Sequence, residues 1–132
     1  NAKRLYIVAD SGGSNASRNA LWKVELQRFA NKTGLELEVS HMPPGTSKWN
    51  KIEHRLFSAI SMNWRGKPLE TYEAIVSLIG ATTTRSGLRV RAKLDDRTYQ
   101  RGIKVPREVT RRLAIRKHVF HGDWNYAFRP SV

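Results

Sequence analysis

At 132 residues, with 39% hydrophobic side chains and four each of Trp, Tyr and Phe, the chain is long enough for one real core and too apolar for a disordered polymer. Twenty-four Lys and Arg against eleven Asp and Glu leave a formal charge of +13, a field that favours a polyanionic partner, nucleic acid first, over a merely solvated basic surface. The absence of Cys excludes disulfides and thiolate metal sites and is compatible with a reducing cytoplasm, and no apolar run approaches the roughly 18 residues of a membrane span.

The first predicted element is Arg4 to Asp10, RLYIVAD, whose successive apolar residues suggest a strand buried on both faces of a parallel sheet. Ser11 to Asn15 carries turn and cap chemistry, since glycine permits positive φ and Ser or Asn caps helices. From about Ser17 to Lys32, Leu21, Trp22, Val24, Leu26, Phe29 and Ala30 fall at helical spacing; Trp22 and Phe29 read as core, and Gly34 as the C-terminal stop. Leu35 to His41 alternates, with Leu37 and Val39 on one face and Glu36 and Glu38 on the other, a strand with one wetter face. Pro43-Pro44-Gly45 ends it, and Thr46 or Ser47 is placed to cap a helix with the apolar stripe Ile52, Leu56, Ala59 and Ile60. Gly66 and Pro68 break that helix, and another is expected from about Leu69 to Thr83. Beyond Gly87, the alternation of LRVRAKLD, a turn near Asp95-Asp96 and the run Gly102 to Val105 predict a basic β-hairpin. Pro106 opens a short helix with Val109 and Leu113, and the aromatic tail HVFHGDWNYAFRP is expected to pack down.

The order strand, helix, strand, helix, helix fits a right-handed βαβ crossover followed by helices. Asp10 then ends the first strand, where ligands gather in parallel sheets, and Glu53 begins a helix after the second strand's exit loop. Both carboxylates are expected to converge at one sheet edge. Phosphodiester chemistry uses such carboxylates to hold divalent cations, about 4 Å apart in two-metal sites, against attacking and leaving oxygens. Hard cations such as magnesium and manganese take oxygen donors. Chance supplies two acids at this spacing in most proteins, so the residues around them decide.

Those residues are VADSGGSN, an amphipathic helix, an alternating strand and then PPGTSKWNKIEHRLFS, with Asn50, Lys51, Ile52 and Glu53 forming an Asn-x-Ile-Glu element. Together with NWRGKPLETYEAIVSLIGATTTRSGLRVRAKLD and FHGDWNY, they resemble the bacterial insertion-sequence transposases of the Rhodopirellula-type DDE family over essentially the whole chain. The resemblance implies an α/β fold, the C-terminal portion of an RNase H-like, integrase-type domain with a βαβ core, helices and an appended basic hairpin. It implies that Asp10 is the second acid of the catalytic set and Glu53 the third, holding Mg²⁺ or Mn²⁺. The first acid belongs on an upstream strand, and only Asn1 to Ala9 precede Asp10. Residues 1–132 are accordingly read as one domain, a fragment of a longer DDE catalytic domain lacking its N-terminal strands. The implied reaction is DNA cleavage and strand transfer, in which water and then a DNA 3′-hydroxyl attack phosphodiesters. The implied partners are transposon ends and target DNA at a bacterial nucleoid, with no membrane; without an upstream strand, the apolar edge Arg4 to Asp10 is expected to self-associate or to be covered by the chain's own C-terminal segment.

Each site residue has a plainer rival. Glu53 would otherwise pair with a cation one helical turn away, but those positions hold Trp49 and Phe57. Without the resemblance, Asp10 would be a helix-capping residue. Lys48, Lys51 and Arg55 flank the acid as phosphate contacts, His54 is a polar DNA contact or an ordinary surface histidine, and Trp49 reads as buried rather than stacked on a base. Arg89, Arg91 and Lys93 are divided between DNA binding and a solvated face, and Ser11 to Gly13 between a phosphate cradle and simple turn geometry. The rival functions are an inactive nucleic-acid-binding remnant, a metal-dependent nuclease of the same fold, and a basic structural module needing neither acid.

Overall fold

The computed structural model describes residues 1–131, and the chain folds as two compact units. The first unit combines Asn1–Ser47 with the stretch from Gln100 onward; the second is Lys48–Tyr99.

The first unit is a four-stranded mixed sheet with helices. Strand β1 (Arg4–Ala9) pairs in parallel with β2 (Glu36–His41), from Arg4 opposite Glu36 to Ala9 opposite His41. Helix α1 (Ala20–Thr33) is the crossover between them. Strands β3 (Ile115–Lys117) and β4 (Asn125–Phe128) add the order β1-β2-β4-β3, with β4 antiparallel to both neighbours. The core is Leu26 and Ala30 of α1 against Leu37, Val39, Tyr126 and Phe128 of the sheet. Alternation along β2 puts Leu37, Val39 and His41 on that buried face and leaves Glu36, Glu38 and Ser40 half-exposed on the other.

Several expectations change here. β1 is an edge strand rather than one buried on both faces: Leu5 and Tyr6 are exposed and only Ala9 is fully buried, because among the described residues it has one neighbouring strand. The C-terminal segment pairs with the far side of β2 instead of covering β1. Helix α1 starts at Ala20, not Ser17, because the Asn19 side chain accepts from the Leu21 and Trp22 amides at 3.0 and 3.3 Å. It ends, as expected, with Gly34 in the left-handed conformation. Phe29 is 43% exposed and lies outside the core, whereas Trp22 packs against it. In the tail, Tyr126 to Phe128 are buried but Val119 and Phe120 point outward from the β3–β4 connection. A Cβ on Gly122 in that connection would sit 2.6 Å from the His118 carbonyl oxygen, so the chain approaches itself too closely there for any side chain.

The short helix α4 (Arg107–Arg111) follows Pro106 as predicted and also belongs to the first unit. The second unit holds α2 (Lys51–Trp64) and α3 (Tyr72–Gly80), which pack on each other; Asn63 donates to the Leu78 carbonyl at 2.6 Å. Thr71 caps α3 through the Ala74 amide. Thr46 does not cap α2 but bonds back to the Pro43 carbonyl at 2.6 Å, closing the Pro-Pro-Gly turn, and Asn50 stands at the helix start. Within the expected stripe Ile60 is buried and Leu56 and Ala59 half-buried, while Ile52 is 77% exposed. The inward face of α2 therefore begins one turn later than the sequence pattern suggests.

The expected hairpin over residues 88–105 does not form. Instead the chain reverses at Arg85-Ser86-Gly87 and Leu88–Val90 returns onto Thr82–Thr84, through Thr84 N to Leu88 O and Val90 N to Thr82 O at 3.3 Å each. Gly87 has φ 93°, which suits that reversal. Residues 91–100 carry no regular structure. Among the described residues, no helix is long and apolar enough to cross a membrane.

Candidate metal and nucleic-acid site

Asp10 stands just beyond the carboxyl end of β1, and the end of β2 holds its main chain there. The Met42 amide donates to the Ala9 carbonyl at 2.7 Å, and the Ser11 hydroxyl donates to the Met42 carbonyl at 2.5 Å. His41 Nδ1 lies 3.3 Å from the Asp10 carbonyl oxygen. The carboxylate itself is exposed, and its Oδ1 accepts one long bond, 3.4 Å, from the Gly12 amide. Gly13, at φ 60°, opens a single helical turn over Gly13–Asn15, so turn geometry accounts for the Ser11 to Gly13 stretch.

Beneath this strand end lies a polar cluster that the sequence reading missed. His41 is 5% exposed, its Nε2 is 2.6 Å from the Tyr126 hydroxyl, and the Trp22 indole N–H donates to the same hydroxyl at 3.1 Å. Burial pushes the His41 imidazole below its ordinary range, partly opposed by its bond to the Asp10 carbonyl. Burial likewise raises the Tyr126 phenol and lowers Lys23, whose ammonium sits 5.2 Å from the Tyr126 ring centre. One signal was available: the period-2 alternation of β2 puts a histidine at a core position in line with Leu37 and Val39.

Glu53 occupies the first turn of α2, where the partial positive charge of the helix start favours a carboxylate. It is exposed, as are Lys48, Lys51, His54 and Arg55 along the same turn-and-helix segment of the second unit. His54 and Arg55 border a groove also lined by Ser58, Met62, Asn63 and Thr84. Trp49, expected to be buried, is 59% exposed, because it lies in the single turn Ser47–Trp49 ahead of α2 rather than on its inward face. Arg89, Arg91 and Lys93 are exposed on the stretch after Gly87, with Arg89 bridged to Thr83 and no strand beneath the other two.

Asp10 thus belongs to the first unit, and Glu53 with all seven basic candidates to the second. Among the described residues neither acid joins an ion pair, although Glu36, Glu25, Asp95 and Asp123 do. Two exposed carboxylates without cationic partners are the hard oxygen donors a divalent cation takes. No group of three His, Cys, Asp or Glu suited to a metal occurs among the described residues.

No curated protein and no solved structure matches this sequence. The family model described as the Rhodopirellula transposase DDE domain matches residues 1–130, nearly the full length over which the acids, the Pro-Pro-Gly turn and the basic helix are laid out. The chain belongs to this transposase DDE-domain family.

Proposed function

We propose that the chain is the C-terminal portion of an RNase H-like catalytic domain that cleaves and joins DNA. Asp10 and Glu53 would hold Mg²⁺ or Mn²⁺, in keeping with the general use of divalent metals by DDE transposase domains. The observation that carries the reading is the placement of two exposed carboxylates, Asp10 just beyond the end of β1 and Glu53 in the first turn of α2, in a chain that the DDE-domain family model matches over residues 1–130.

A bound divalent cation supplies charge neutralisation at the attacking and leaving oxygens of a phosphodiester. The protein's part is to present carboxylates from a strand end and a helix start, and to bind the polyanion. Lys48, Lys51, His54 and Arg55 beside Glu53, with Arg89, Arg91 and Lys93, are assigned to the phosphates of transposon ends and target DNA. Contacts of this kind set register and salt dependence, not base sequence. The open outer edge of β1 supports the fragment reading, since it leaves room for a further strand bearing the first acid; the same edge would serve self-association. The proposed setting is a bacterial nucleoid.

The test is metal-dependent DNA cleavage and strand transfer by the complete protein, with Asp10→Ala and Glu53→Ala alongside. Loss of both activities with DNA binding retained supports the proposal. Cleavage without joining indicates a nuclease, and binding with no metal-dependent activity in the parent indicates a remnant.

A further inference from the structure

We propose that His41, backed by Tyr126 and Trp22, is a positioning residue for Asp10: a one-way chain of hydrogen bonds running from the Trp22 indole to the Asp10 carbonyl fixes the strand end that presents the carboxylate. The role rests on Asp10 being a metal ligand.

The direction of the chain follows from its two ends. An indole N–H only donates and a backbone carbonyl only accepts. Trp22 Nε1 therefore gives its hydrogen to the Tyr126 oxygen at 3.1 Å. The Asp10 carbonyl, 3.3 Å from His41 Nδ1, requires a hydrogen on that nitrogen. A neutral imidazole with its hydrogen on Nδ1 carries a lone pair on Nε2, which must accept. The Tyr126 hydroxyl, already accepting from Trp22, donates to that lone pair at 2.6 Å. Every donor and acceptor is used once, and Trp22, Tyr126, His41 and Asp10 all belong to the first unit. The opposite tautomer would set a bare Nδ1 against the carbonyl oxygen, two acceptors facing each other at a half-buried contact.

The position of the chain also matters. The imidazole reaches the carbonyl of Asp10 itself, while the next residue, Ser11, is tied to Met42. The main chain leaving Asp10 is thus tied to His41 through the Asp10 carbonyl and to Met42 through the Ser11 side chain. The carboxylate has only the weak Gly12 contact, so the direction in which it leaves the backbone is set by the main chain. A histidine serving the core alone would gain as much from any carbonyl; this one is spent on the residue that carries the acid. Outer partners of this kind typically change metal affinity or activity about 10–100-fold when lost.

The experiment uses ¹⁵N-labelled protein. Long-range ¹H–¹⁵N correlations of the His41 ring are expected to show a protonated Nδ1 and an unprotonated Nε2; the Nε2–H tautomer or a doubly protonated ring would overturn the relay. Mn²⁺ is then titrated while the Asp10 and Gly12 amides are followed. Tyr126→Phe, which removes one oxygen and keeps the ring, is expected to weaken Mn²⁺ on the order of tenfold. His41→Leu is expected to do the same, whereas His41→Asn, which keeps an N–H donor near the place of Nδ1, restores the parent affinity. Equal losses in the Leu and Asn variants, or none in Tyr126→Phe, would overturn the positioning role. Undiminished affinity in Asp10→Asn would overturn the metal reading and the role with it, whatever the tautomer. The wrong tautomer beside an Asp10-dependent affinity would overturn the relay alone.

Discussion

The buried side chain of Gln27 is clamped to Ala114, 87 residues later: its Oε1 accepts the Ala114 amide at 2.8 Å while its Nε2 donates to the Arg129 carbonyl at 2.7 Å. One amide on α1 thus satisfies the main chain where β3 begins and where β4 has just ended. Gln27→Leu keeps much of the bulk and leaves both backbone groups without partners. It is expected to destabilise the first unit by about 1–3 kcal/mol, the cost of one unsatisfied group, since the Ala114 amide is half-buried and the Arg129 carbonyl lies on an exposed residue. Urea unfolding followed by Trp fluorescence measures this, and a loss below about 0.5 kcal/mol, the usual range of surface substitutions, would show that water replaces the clamp.

Whether Asp10 and Glu53 share one metal site is open to a double-mutant cycle. Asp10→Asn and Glu53→Gln are each expected to lower Mn²⁺ affinity, and the double variant to lose little more than the worse single one. Residues that act on a shared partner are non-additive, and distant independent sites add within about 0.5 kcal/mol. Calorimetric titration of the four proteins decides, and strict additivity would assign the two acids to separate sites.

DNA affinity is expected to fall steeply with salt. On a duplex the slope of log K against log salt is about −0.9 per phosphate neutralised. Lys48→Ala, Lys51→Ala and Arg55→Ala should each flatten it by about one such step, without changing which DNA sequence is preferred. A slope unchanged in all three variants would move the DNA surface away from the start of α2.

Asp95 makes a pH-dependent anchor in the irregular stretch. The Arg97 guanidinium grips it with bonds of 2.6 and 2.8 Å and the Tyr99 hydroxyl adds another, holding the carboxyl well below the usual carboxylate range. A depressed carboxyl contributes stability that is present above its unfolded pKa and lost as pH falls through the folded value. The local order of residues 95–99 should therefore persist through mild acid and loosen only below the ordinary Asp range. Carbon NMR of the Asp95 carboxyl measures this, and Arg97→Ala is expected to return it toward its ordinary value.

The sequence made some of this architecture legible and hid the rest for local reasons. The β1–α1–β2 segment was readable because Leu37 and Val39 alternate, Trp22, Leu26 and Ala30 recur every four residues on one helix face, and Gly34 marks the stop. β3 was not, because Ile115-Arg116-Lys117 has one apolar residue and gains its identity only from β4 beside it. The hairpin was misplaced because Leu88, Val90 and Ala92 alternate like a strand but find their partner in the preceding Thr82–Thr84, with Ala92 so near Gly80 that a Cβ added there would lie 3.8 Å from the Ala92 nitrogen. For the site, the acids showed in the sequence, but the support under Asp10 joins residues 22, 41 and 126, a juxtaposition that no local pattern carries.

The first unit is interrupted in sequence: Lys48–Tyr99 intervenes between its two parts. On a ribosome, which releases the chain from the amino end, β1, α1 and β2 emerge early with the sheet still lacking β4 and the Gln27 clamp still empty. The second unit emerges whole and, being helical and local in its contacts, is suited to form first. The sheet closes only when Tyr126 and Phe128 arrive to fill the core. The hydroxyl at the centre of the polar cluster beneath Asp10 thus arrives only after the whole second unit has been made, so the strand end that carries this acid lacks its support until then.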